Sequence, residues 1–155
     1  MKRILVLIMA AAVCSYAGFA AAATHGRAVT TVKVLLAPAG NNDRLEVLSP
    51  TAKAGRITFA VLNQGNLAHG STYGVPNHPE GHELVILRTN QPPGKLHTNA
   101  AGDAVETGRV GKPLLLDPGK SGSITLTLKP GNYVLICNFA GHYTAGEYAA
   151  FKVVA

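Results

Sequence analysis

The chain has 155 residues, a length that suggests one domain, with 47% hydrophobic and 14% charged residues and a formal net charge of +6. Its basic residues are scattered without a Lys/Arg run, so composition gives no support to nucleic-acid binding.

The first residues read as a secretory leader. Lys2 and Arg3 make a basic start, residues 4–13 an apolar stretch, and Ala21-Ala22-Ala23 a small-residue cleavage site. The expected division is a signal peptide at 1–23 and a mature domain at 24–155. An uncleaved membrane anchor is the weaker reading, because the apolar core is shorter than the roughly 20 residues a spanning helix needs and Ser15 and Tyr16 interrupt it. Lipid attachment at Cys14 is disfavoured by the bulky Val13 before it. Processing removes two of the 14 basic residues and none of the 8 acidic ones, which leaves a net charge of +4. It also removes Cys14, so the exported chain holds one thiol, Cys137, and no intramolecular disulfide. An unpaired thiol in an oxidising compartment is at risk unless it is buried or bound to a metal.

From Thr24 onward the chain reads as all-β. Short runs rich in Val, Ile, Leu, Thr and Phe at 31–37, 44–48, 57–62, 83–88, 123–128, 132–137 and 148–154 are expected strands. Gly40-Asn-Asn-Asp43, Ala54-Gly55, Pro92-Pro-Gly94, Asp117-Pro-Gly119 and Lys129-Pro-Gly-Asn132 punctuate them. The cleanest alternation is at 123–128, where Ile124, Leu126 and Leu128 face a core and hydroxyls face water. No ten-residue stretch beyond the leader carries a helical period. About seven short strands with such turns predict a two-sheet antiparallel sandwich. Segments 63–81 and 89–112 are expected as long loops.

Directly after the run 132–136 comes Cys137-Asn-Phe-Ala-Gly-His142-Tyr-Thr-Ala-Gly-Glu147. A thiolate and an imidazole on one tight loop make a soft metal site; with a second histidine, for which His82 is the candidate, they form the His2Cys set that copper favours. The two-residue strand period puts Tyr133 and Leu135 on the face of Cys137. The same period carried back from Phe151 and Ala149 puts Glu147 on the inner side, toward the same end.

Over residues 47–155 the chain resembles the cupredoxins, small exported blue-copper proteins. The resemblance is carried, in order, by Val47-Leu-Ser-Pro50, Lys53-Ala-Gly-Arg-Ile-Thr-Phe59 with Asn63, His82-Glu-Leu-Val-Ile86, Leu116-Asp-Pro-Gly-Lys120, and Pro130-Gly-Asn-Tyr-Val-Leu-Ile-Cys137 with Gly141-His142. It implies a Greek-key antiparallel β-sandwich, one copper ion in a type 1-like site held by His82, Cys137 and His142, and one-electron transfer. It further implies a periplasmic or otherwise exported monomer that docks transiently with a redox partner near His142, without catalysis or stable membrane insertion. Phe139, Ala140, Tyr143 and Ala145 would supply a small apolar contact patch or, equally, core packing.

Two departures stand out. Where the family pattern has an axial methionine, this chain has Glu147, and both methionines, Met1 and Met9, lie in the leader. A carboxylate is hard and charged where a thioether is soft and neutral, so copper ligation by Glu147 implies a lower reduction potential. Glu147 swung into solvent is the alternative. A buried Glu147 without metal is expected to have a raised pKa. The second departure is an insertion at 64–81 that adds His69 and His78, either solvated or part of a lid or a second weak copper site. His25 and His97 have no assigned role. A copper-sequestering or copper-delivery protein without redox turnover is the competing function. A Cys/His nucleophile pair has little support in a β-sandwich, and the histidine-x-histidine pairs of multicopper oxidases are absent from the sequence.

Overall fold

Alternating apolar and polar residues along extended segments force one face of each strand out of water, and pairing two such faces makes the sandwich. The computed structural model describes residues 28–38, 44–65 and 81–155. The leader, His25, His69, His78 and the turn residues 40–43 lie outside the described residues.

Among the described residues there are nine strands: β1 Thr30–Leu36, β2 Leu45–Val47, β3 Thr51–Lys53, β4 Gly55–Asn63, β5 His82–Arg88, β6 Leu114–Leu116, β7 Ser121–Leu128, β8 Gly131–Ile136 and β9 Tyr148–Val154. The seven expected strands are all present, with small shifts at their ends. The two that sequence did not suggest, β3 and β6, are three-residue edge strands, too short to display a period.

One sheet has the order β2-β1-β4-β7 and the other β3-β9-β8-β5-β6. Two pairings, β1 with β4 and β3 with β9, are parallel; the others are antiparallel. Val32, Val34, Leu36, Ile57, Phe59 and Val61 of the first sheet pack on Leu84, Ile86, Tyr133, Leu135, Phe151 and Val153 of the second. Phe59 and Phe151 meet edge to face across the gap, their centroids 5.2 Å apart. On β7 the hydroxyls of Thr125 and Thr127 face solvent, as the alternation predicts.

The second sheet is also covered on its outer side. Val85, Leu87, Val134 and Ile136 pack under Leu96, Ala104 and Tyr143. Leu96 and Ala104 come from the expected loop 89–112, which holds a short 3-10 turn at Pro93–Lys95 and a bridge between Thr98 and Ala104. It lies flat on the strands partly because Gly108, at φ 81°, has no Cβ to collide with the Arg88 carbonyl. Among the described residues no helix is long and apolar enough to cross a membrane.

Candidate metal centre

Strand parity assembles the site. On β5 the inward series Ile86, Leu84 ends in His82; on β8 Tyr133, Leu135 continues to Cys137; on β9 Phe151, Ala149 runs back to Glu147. Three side chains therefore extend the core face at one end of the sandwich.

The fourth, His142, opens a single helical turn, α1 His142–Ala145, framed by Gly141 at φ 84° and Gly146 at φ 116°. Both left-handed conformations suit glycine, and they return the chain sharply toward Cys137. The loop then closes on itself. The Glu147 N–H donates to the His142 carbonyl at 3.1 Å, and the Cys137 N–H to the Glu147 carbonyl at 3.0 Å.

The ligand atoms of His82, Cys137, His142 and Glu147 all lie within 4.8 Å of one another. Relative exposures are 3%, 0%, 7% and 0%. Nδ1 of each imidazole sits 2.9 Å from Oε2 of Glu147, and Nδ1 of His142 is 3.4 Å from Sγ of Cys137. The Glu83 N–H donates to that sulfur at 3.3 Å. Oε1 of Glu147 is 2.7 Å from Nδ1 of His82, but one Nδ1 hydrogen cannot serve both oxygens well, and Oε1 is left a buried acceptor without a hydrogen-bond partner.

Electrostatics follow from this packing. Burial pushes the Glu147 carboxyl upward, but hydrogen bonds and positive charge from His142 and His82 outweigh it and hold the group below the ordinary carboxylate value. The raised value expected from burial alone is thus corrected: the imidazoles already stand where a cation would. Cys137 is pushed well above the ordinary thiol value, by burial first and then by the Glu147 charge. A cation binding the sulfur must therefore displace its proton.

One sulfur, two imidazole nitrogens and a carboxylate with an unsatisfied oxygen converge on one buried point, and this donor set fits a type 1-like copper site. The four candidate residues are all brought together. His97 lies exposed on the 89–112 segment, apart from them. Phe139 is half-buried and edge-on to the His142 ring, with centroids 5.9 Å apart, and Ala140 and Ala145 are exposed. Tyr143, the fourth member of the expected patch, is buried in the outer packing. Sequence reasoning missed Glu83 and Asn138, which meet behind the sulfur; their places directly after His82 and Cys137 were the available signal.

No protein-family model matches the chain, and no curated protein matches it. Solved structures do. Reduced auracyanin from the photosynthetic bacterium Roseiflexus castenholzii aligns with a TM-score of 0.56 and 23% identity, covering 81% of this chain and 98% of that one. Auracyanin B aligns with a TM-score of 0.56 and 27% identity, covering 81% and 89%. Rusticyanin from Thiobacillus ferrooxidans, described as a copper protein, gives 0.57 and 17%, covering 81% and 77%. The fold is the cupredoxin fold. The cupredoxin resemblance that the motifs carried is met in the architecture, and the four-residue cluster stands at the end of the sandwich where those motifs converge.

Proposed function

We propose that this chain is an exported protein that holds one copper ion through His82, Cys137, His142 and Glu147 and carries single electrons. The observation that carries the reading is the convergence of four buried ligand atoms within 4.8 Å. Residues 24–155 are the mature cupredoxin-like domain, 1–23 its signal peptide, and the location periplasmic or otherwise outside the cytoplasm. The domain acts as a monomer and transforms no substrate.

Bound copper supplies a one-electron couple between Cu(I) and Cu(II). The chain sets the balance of that couple. Cys137 and Glu147 bring two negative charges into a buried site, so the doubly charged ion is neutralised and the singly charged one is left with an uncompensated charge. The expected potential is lower than with a neutral residue at 147. His142 keeps the largest exposure of the four, 7%, beside Phe139, Ala140 and Ala145, and this is where a redox partner docks.

Addition of Cu(II) to the purified mature chain tests the reading. The expected result is an intense thiolate-to-copper charge-transfer band that is lost in Cys137→Ser. Absence of that band, with zinc retained instead, overturns it. The second reading, copper storage or delivery, draws on the fully buried Glu147 carboxylate, which favours retention of Cu(II). Reversible reduction supports the carrier, and transfer of the ion to an acceptor apoprotein supports the store.

A further inference from the structure

Two residues of the ligand loop reach away from the metal centre, and each directly follows a member of it. Asn138 follows Cys137. Its carboxamide pairs with the backbone of one residue of the 89–112 segment, accepting from the Ala104 N–H at 2.7 Å and donating to the Ala104 carbonyl at 3.0 Å. It also donates to Oε1 of Glu106 at 3.0 Å, while Oε2 of Glu106 accepts from Arg109 at 2.7 Å. Tyr143 follows His142. Its hydroxyl donates to the Pro93 carbonyl at 2.8 Å and accepts from the Leu96 N–H at 2.8 Å.

The segment that receives these bonds is itself held firmly. Leu96 and Ala104 are buried against Val85, Leu87, Val134 and Ile136. Oδ1 of Asn99 accepts from the N–H groups of Ala101 and Asp103 at 2.9 and 3.0 Å, and the Val105 N–H donates to the His97 carbonyl at 2.7 Å. Two opposed bonds between an amide side chain and the N–H and carbonyl of one residue fix direction as well as distance, which apolar packing alone does not. On its N-terminal side Cys137 is already tied through its N–H to the Glu147 carbonyl, so the Asn138 pairing supplies the restraint on the other side.

We infer that the 89–112 segment is a brace for the metal-binding loop, with Asn138 the positioning residue for Cys137 and Tyr143 the positioning residue for His142. The inference rests on the copper reading only for its spectroscopic arm. Its mechanical arm is a property of the metal-free chain.

The test compares Asn138→Ala and Tyr143→Phe in the mature chain, whose one thiol is Cys137, with wild type and with Ile124→Val, a control in the other sheet. In the metal-free proteins, the rate at which a small thiol reagent modifies Cys137 under native conditions should rise on the order of tenfold in Asn138→Ala, the effect of losing about 1.4 kcal/mol of local protection. Ile124→Val should leave the rate unchanged, and Tyr143→Phe should change it little. After addition of Cu(II), Asn138→Ala should shift the thiolate charge-transfer band and Ile124→Val should not. Lower global stability in Asn138→Ala with a wild-type modification rate and band overturns the inference, because a merely structural residue behaves that way. If Asn138→Ala does not fold, Asn138→Ser and Glu106→Ala carry the same comparison. If wild type takes no copper, the proposed function fails, while the modification rates still decide whether the brace exists.

Discussion

The two faces of the second sheet end differently. Its inner face, packed on the first sheet, terminates in His82, Cys137 and Glu147; its outer face, under the 89–112 segment, terminates in Glu83 and Asn138. The first sheet has a single apolar face, so Thr31, Lys33 and Arg56 point to solvent and its strands carry none of the four. Of the three strands that carry or adjoin the cluster, β5 and β8 are buried on both sides, whereas β9 exposes Ala150 and Lys152. Rigidity is thus concentrated where side chains must be held to a fraction of an ångström, and the first sheet serves mainly as a hydrophobic platform.

Removing one large side chain from each face tests that division most strongly. Phe59→Ala, in the inner core, should cost about 3–5 kcal/mol in denaturant unfolding, and Leu87→Ala, on the covered outer face, about 2–5 kcal/mol. Only Leu87→Ala should also alter the visible band of the copper-loaded protein below its melting temperature. An equal spectral change in Phe59→Ala would break the comparison.

The inner cap can be neutralised without changing its shape. Glu147→Gln should raise the reduction potential by on the order of 100 mV, the scale of a few kcal/mol that a nearby unit charge contributes at an effective permittivity of about 20. Protein-film voltammetry reads the shift directly. A potential equal to that of wild type would remove Glu147 from the ion's surroundings.

The outer cap gives the smallest effect, and its sign runs opposite to that of a salt-bridged carboxylate. Burial first, and then the Glu106 charge, raise the Glu83 carboxyl above its ordinary value, so the folded state holds that proton more tightly than the unfolded one. Its contribution is fully present below the unfolded pKa and is lost as pH rises through the raised folded value. Glu83→Gln should flatten this decline in a pH series of unfolding measurements on metal-free protein. A slope identical to wild type would mean that Glu83 does not titrate under the covering segment.

Much of this was legible in the residues. Alternation alone locates seven strands, and parity carried back from Phe151 turns Glu147 inward. The double-sided burial of β5 and β8 also had a signal: the unbroken runs Leu84-Val-Ile-Leu87 and Tyr133-Val-Leu-Ile136 are what strands covered on both faces look like. What covers them was not legible, because Leu96 and Ala104 lie in a segment with no period. Strand direction was hidden as well, since a two-residue repeat reads the same whether β1 meets β4 parallel or antiparallel. The lowered Glu147 pKa could not be reached from burial alone; it depends on two imidazoles that face one oxygen, His142 from the same loop and His82 from a distant strand.

The position of β9 has a kinetic consequence. It lies between β8, its neighbour along the chain, and β3, whose residues are roughly a hundred positions away in sequence, a separation that makes pairing slow. Cys137, His142 and Glu147 belong to the stretch from β8 to β9, so the cluster is complete only once β8 has paired with β9 and with β5, which brings His82. A metal ion offered to the chain before those pairings form would meet an incomplete set of donors.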